Sequence, residues 1–428
     1  MAQVLAYRAA KVKFFNGAIL PFMIFRAVTA LLLVVCLVDP ALPAAVDRGA
    51  LTQAFGKWVE TDVWPEAKQA GVSRRTFDKA FAGITPDFSL PELTISPPAT
   101  ESQAEFRSPA AYFNEAGIAR LVTAGRQRLK QWSATLAKIE KRYGVPASVI
   151  VAVWARESDF GRDTLPEPAI RALATAAFLG RRPDLFRGEL IAALQILEAG
   201  DVTPARMRGS WAGALGQPQL LPSQFRKYAV DFDGDGRRDI WGSVPDSLAS
   251  IANFLKLQGW EPGVPWGFEA EVPAKVLCSL EGPEQGKPMA KWAALGVRRA
   301  DGQPMPHTAG DAYLLMPAGR LGPAFIVSGN FYTLKIYNNS DLYALYIVHL
   351  ADRFSNDRPY RAPWGQTGGL RRPAVAAMQR AFEKKGEDVG GSDGLIGFKT
   401  RIAVGKWQAR MHEPVTCYPD AAMMARVR

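Results

Sequence analysis

Cysteine and histidine are scarce in this chain, with three of each in 428 residues. Cys36 lies in an N-terminal apolar stretch, so the body of the chain holds only Cys278 and Cys417. That number permits one disulfide and is equally compatible with two free buried thiols. His307, His349 and His412 are scattered, with no cysteine or carboxylate at metal spacing, which excludes a zinc site and a Ser-His-Asp triad. Long hydrophobic runs are missing too. The one candidate, Ala27 to Val38, is too short to cross a bilayer. It follows Arg26 and leads into Asp39-Pro40 and Ala41-Leu42-Pro43-Ala44-Ala45, the three-part layout of a secretory signal over residues 1–45, with Met23 as an alternative start. Val35 stands where a lipoprotein requires a small residue before Cys36, so export with cleavage is the expectation and an uncleaved anchor the alternative. Acidic residues are in deficit, 41 against 52 basic, for a net charge of +11. Such a surplus suits an anionic wall, membrane surface or polyanion without choosing among them. No nucleic-acid-binding motif accompanies it, and an exported chain makes that class the weakest.

What is present is ordinary globular material: 48% hydrophobic and 22% charged residues, enough for two or three domains. Leu51 to Phe81 and Glu115 to Arg142 carry apolar residues at three- and four-residue spacing and predict helices. Proline and glycine thicken between Gly259 and Pro323, predicting an irregular insert with short strands. A second concentration, Arg358 to Gly369, reads as a linker. Beyond it, Val375, Met378 and Phe382 mark one amphipathic helix, Asp393-Gly394 a turn, and Ile402, Val404 and Trp407 a second helix.

The most informative segment is Tyr143-Gly144-Val145-Pro146 followed by ASVIVAVWARESDFG, which predicts a helix with proline in its first turn and Gly161 beyond its end. Ile150, Val153, Trp154 and Glu157 fall at i, i+3, i+4 and i+7, so a carboxyl group sits on the face that should be buried. Burial and the negative end of the helix dipole both favour a protonated carboxyl, which is what a general acid in glycoside cleavage requires. The alternative is a glutamate that reaches water or pairs with Arg156 or Arg162. Most glycosidases use two carboxylates, yet Asp159 lies two residues on and projects from another side of the helix. No second acid with a clear partner role is evident.

Glu157-Ser158-Asp159-Phe160-Gly161, followed by Gly209-Ser210-Trp211-Ala212-Gly213-Ala214-Leu215-Gly216-Gln217-Pro218-Gln219-Leu220-Leu221-Pro222-Ser223, resembles the catalytic domain of the membrane-bound B type of lytic murein transglycosylases. Asp231-Phe232-Asp233-Gly234-Asp235-Gly236-Arg237-Arg238-Asp239-Ile240-Trp241 is similar to that family's calcium loop. Asn330-Phe331, Tyr337-Asn338-Asn339-Ser340 and Tyr343 are similar to its last active-site segment. The tail pattern Gln379, Gly386, Asp393-Gly394, Gly397, Thr400, Ala403-Val404 and Trp407-Gln408 resembles a small three-helix peptidoglycan-binding domain.

The resemblance implies a mainly α (α+β) protein. Residues 46–356 would form a lysozyme-like catalytic domain with a small mixed insert, 357–369 a linker and 370–428 a helical wall-binding domain. It implies a periplasmic monomer acting on peptidoglycan glycan strands, with Glu157 as sole acid and base and no cofactor required for the chemistry. Ser210, Gln219, Tyr337, Asn338 and Tyr343 would line the cleft. A hydrolysing muramidase and a non-catalytic wall-binding protein are the alternatives.

The acidic loop supports a structural calcium on its own pattern. Asp231, Asp233 and Asp235 occupy positions 1, 3 and 5 of an EF-hand, Gly236 the turn at 6, and Arg237 the carbonyl at 7. Gly242 stands where the bidentate glutamate belongs. The family resemblance substitutes Asp246, whose other reading is a cap on the following helix.

Overall fold

A computed structural model of the chain describes residues 47–94, 108–163, 165–367 and 369–427; the expected secretory signal lies outside them. The described residues are mostly helical, with one five-stranded sheet and a short two-stranded pairing of Glu167–Pro168 with Arg208–Gly209, as the mainly helical sequence patterning implies.

The centre of the molecule is the helix Ala147–Ser158, in which every residue from Val149 to Ala155 is buried. Its apolar face is wider than the Ile150, Val153, Trp154 stripe because helices Glu115–Gln131, Ser133–Tyr143, Val244–Leu257 and Asp341–Asn356 all pack on it. An element hydrophobic all round is a core element. Gly125 lets two of these neighbours approach closely: a Cβ there would lie 2.2 Å from the Phe354 ring. A second apolar cluster joins the N-terminal helices to Ala169–Leu179, Pro183–Ala199, Leu215, Phe225 and Ile240. The Leu51 to Phe81 segment is several helices, with a π-helical turn at Val59–Val63, and the Glu115 to Arg142 segment breaks at Trp132.

The proline- and glycine-rich insert builds a five-stranded antiparallel sheet, in the order Lys287–Pro288, Asp311–Leu315, Ala324–Val327, Gly267–Glu271 and Arg298–Arg299. Register pairs Tyr313 with Val327 and Phe268 with Ile326. Alternation splits the side chains between two cores: Tyr313, Leu315, Phe325 and Val327 join the central helices, and Ala312, Leu314, Ala324 and Ile326 face Cys278, Trp292 and Cys417.

The tail holds helices Arg372–Lys384, Phe398–Arg410 and Ala421–Arg426 around Val375, Met378, Phe382, Val404 and Trp407. It is tied back to the insert. Cys278 and Cys417 form a disulfide, Arg320 N donates to Thr416 O, and Arg401 pairs with Glu281 across the same seam.

Candidate active site

Glu157 occupies the last turn of the central helix and is half-buried. The helix ends one residue later because Asp159 and Phe160 are both left-handed, with φ of 47° and 62°. Asp159 pairs with Arg120 and Arg162, each at 3.0 Å. Burial opposes its ionisation, but the two guanidinium groups hold its carboxyl below the usual aspartate value. It is therefore held as a carboxylate and not as a proton donor. Arg156 lies over the rings of Tyr112 and Tyr346, at 5.4 and 5.3 Å.

The Tyr343 hydroxyl donates a short hydrogen bond to Glu157 Oε1. Tyr343 is 1% exposed and sits in the first turn of helix Asp341–Asn356, where the Ser340 side chain caps its backbone N–H at 3.2 Å. Burial first, and then the charge of Glu157, push its phenol well above the ordinary range, so it remains a donor. Tyr337 lies nearly parallel to it, with ring centroids 6.3 Å apart and planes 13° apart. Its hydroxyl donates to Pro218 O at 2.7 Å, and burial and Glu157 raise its pKa in the same way.

That bond links the tyrosine segment to the glycine-rich loop after Gly209. The loop is closed by bridges from Gly209 to Leu215 and from Leu215 to Leu220. Ser210 sits at its neck: its backbone N–H donates to Ala214 O at 2.9 Å, and its hydroxyl accepts from Ala214 N at 3.2 Å. Gly213 is required where it stands, since at φ 81° a Cβ would lie 2.2 Å from Leu173. Gln219 has φ 55° and donates its side-chain amide to Gly216 O at 2.9 Å. A non-glycine residue in that region stores strain, a feature concentrated at functional sites. Asn338 is exposed. Of the assigned cleft residues it alone lines the large groove, about 2070 Å³, between the tail and the main body.

Gln217 was not singled out from sequence, yet it joins the two catalytic segments. Its Oε1 accepts from Trp154 Nε1 at 2.8 Å, and its Nε2 donates to Trp241 O at 3.1 Å. Its place between Gly216 and Pro218 marks a turn, but nothing local distinguishes it from Gln219.

In the acidic loop, carboxylate oxygens of Asp231, Asp233 and Asp246 come within 4.8 Å of one another. Asp235 does not join them: both its oxygens accept from Arg237, at 2.9 Å from the backbone and 2.8 Å from the guanidinium. Asp246 is fully buried and accepts from the backbone N–H groups of Phe232, Asp233 and Asp239. Three converging carboxylates are the hard oxygen type that calcium prefers and offer part of the roughly six to eight ligands it takes.

The model of the Transglycosylase SLT domain family matches residues 54–352. The chain is 30% identical over 313 residues to membrane-bound lytic murein transglycosylase B of Escherichia coli K12, covering 73% of this chain and 82% of that one. It is similar to the structure of SltB3 from Pseudomonas aeruginosa in complex with NAG-anhNAM-pentapeptide, with 41% identity and a TM-score of 0.78 over 87% of this chain and 99% of that one. A structure of the Escherichia coli lytic transglycosylase Slt35 in complex with calcium shares 27% identity, with a TM-score of 0.57 over 71% of this chain and 93% of that one. Sequence family and fold agree, and the chain belongs to the membrane-bound B type of lytic murein transglycosylases.

Proposed function

We propose that Glu157 alone performs the acid and base steps of transglycosylation on peptidoglycan. It donates a proton to the glycosidic oxygen between N-acetylmuramic acid and N-acetylglucosamine, and the C1–O bond breaks. The acetamido group of the muramic residue shields the cationic C1. The Glu157 carboxylate then takes the C6 hydroxyl proton, and O6 bonds to C1 to give a 1,6-anhydromuramic end. No water enters, so the second carboxylate of a hydrolase is unnecessary.

The observation that carries this reading is the Tyr343 bond to Glu157 Oε1 in a site where the nearby Asp159 is already held by two arginines. Through that bond Tyr343 fixes the orientation of the Glu157 carboxyl group. Tyr343 also supports the carboxylate produced when the proton leaves. In this reading Ser210, Gln219 and Tyr337 shape the sugar-binding wall around Glu157, and Asn338 meets the glycan from the neighbouring groove between the tail and the main body. The anhydro sugar in the SltB3 complex supports the ring-closing outcome.

The same reading assigns the tail, residues 370–428, to wall binding and 357–369 to the connection. It places a monomeric enzyme in the periplasm, where a basic protein meets an anionic wall. Among the described residues no helix is long and apolar enough to cross a membrane. The calcium of the Slt35 structure supports a structural ion held by Asp231, Asp233 and Asp246. Such an ion would stiffen the loop without taking part in the chemistry.

The test is Glu157→Gln in the full chain. Loss of a general acid costs roughly 100- to 10,000-fold, so release of soluble muropeptides from purified peptidoglycan should fall by that factor at unchanged melting temperature. A folded Glu157→Gln protein with wild-type turnover would remove Glu157 from the mechanism.

A further inference from the structure

A guanidinium from the tail reaches the helix that carries Tyr343. Arg401, in helix Phe398–Arg410, is 2% exposed. Its Nε and Nη2 each bond Glu281 at 2.9 Å, its Nη1 donates to Ile396 O at 2.9 Å, and Nη2 also reaches Asp341 Oδ2 at 3.2 Å. Asp341 is the first residue of helix Asp341–Asn356. Its other oxygen pairs with Lys335 at 2.7 Å, in a contact where both side chains are under 10% exposed. Burial alone would raise the Asp341 carboxyl, but Lys335 and Arg401 hold it below the usual aspartate value.

The geometry of this network is specific. Lys335 ends helix Gly329–Lys335, and Asp341 begins the next one, so their ion pair closes the connection containing Tyr337, Asn338 and Ser340. Tyr343 follows Asp341 by two residues and touches Glu157. Buried ion pairs are poor sources of net stability, because desolvation offsets the attraction, but they fix geometry where one is required. Glu281 anchors Arg401 from the insert, and its Oε2 accepts from Met316 N.

We propose that Arg401 is a positioning residue for the transglycosylase reaction, acting through the Lys335–Asp341 clasp to hold Tyr343, and hence Glu157, in register. The tail thereby has a role in turnover separate from any affinity for the wall. This rests on Glu157 being the acid.

The decisive variant is Arg401→Met combined with Glu281→Gln in the full chain. It removes both charges of the anchoring pair, keeps an acceptor for Met316 N, and leaves Lys335–Asp341 and the Cys278–Cys417 disulfide in place. Misplacement of catalytic groups on this scale costs roughly 10- to 100-fold. The expected result is that loss in kcat with KM within about twofold, unchanged sacculus binding and a folded protein by circular dichroism. Arg401→Lys, which keeps a cation beside Asp341, should recover most of the rate. Wild-type kcat in the folded double variant overturns the proposal, as does a loss confined to KM or to sacculus binding. If the double variant does not fold, Asp341→Asn decides, because it leaves the Arg401–Glu281 anchor intact: a fall in kcat supports the clasp, and wild-type kcat overturns it. Glu157→Gln in the same assay separates the two ideas. An active Glu157→Gln protein defeats the acid assignment, whereas an inactive one beside a fully active double variant defeats only the clasp.

Discussion

Tyr343→Phe removes one atom from the site and leaves its architecture in place. The ring is 1% exposed and lies against Tyr337, so phenylalanine occupies the same space with the same packing. What disappears is the hydroxyl donated to Glu157 Oε1. A hydrogen bond to a charged group is worth about 1.5–3 kcal/mol, and about 1.36 kcal/mol is a factor of ten in rate. The carboxylate is needed after proton donation and before C6 deprotonation, so the loss falls on the chemical steps. Initial rates of muropeptide release should show kcat reduced roughly 10- to 150-fold with little change in KM. Tyr337→Phe is the matched comparison, since it deletes a hydroxyl bonded to the neutral Pro218 carbonyl; a neutral bond is worth about 0.5–1.5 kcal/mol, so its loss of kcat should be smaller than that of Tyr343→Phe. A Tyr343→Phe protein with kcat within twofold of wild type, or with a loss expressed only in KM, would refute the assignment of Tyr343 as the residue that supports Glu157.

His349 is 4% exposed and stacks on Tyr360 at 3.9 Å; burial, aided by the Arg353 charge, lowers its pKa from 6.5 to about 3. Protons therefore bind the unfolded chain first, and stability should fall by roughly 5 kcal/mol as pH drops from 6.5 towards 3, a slope that His349→Gln should flatten in denaturation series. Calcium at a hundred times its Kd should stabilise the fold by about 2.7 kcal/mol, read as a melting temperature raised by CaCl2 and restored by chelator; Asp246→Asn should abolish the response. The disulfide closes a sequence separation of 139 residues, for which the chain-entropy estimate is about 5 kcal/mol. Denaturant midpoints with and without reductant should differ in that direction, and Cys278→Ser/Cys417→Ser should be insensitive to reductant.

The helix bearing Glu157 was legible because its apolar stripe and its proline and glycine punctuation are local signals. Its burial on all sides was not, since that depends also on two helices remote in sequence, Val244–Leu257 and Asp341–Asn356. The insert's strands were visible only as an irregular, proline-rich region; they are two to five residues long, too short for alternation to stand out. Asp235 fits an acidic-loop pattern by position, but its adjacent Arg237 side chain competes for it. Arg401 illustrates the limit most clearly. A lone arginine in an amphipathic helix reads as a solvent-facing residue, and its partner Glu281 is 120 positions away. Pairing of Cys278 with Cys417 was open for the same reason: two thiols state a possibility, and only the docking of the tail on the insert brings their Cα atoms to 6.1 Å.

The central claim concerns the nucleophile, and isotopic water tests it directly. Purified peptidoglycan digested by the full chain in ¹⁸O-enriched water, with the released muropeptides resolved by mass spectrometry, should give 1,6-anhydromuramic ends that carry no label. Reducing ends bearing ¹⁸O at C1 would mean that water attacks in this site, and that Glu157 and Tyr343 serve a hydrolase.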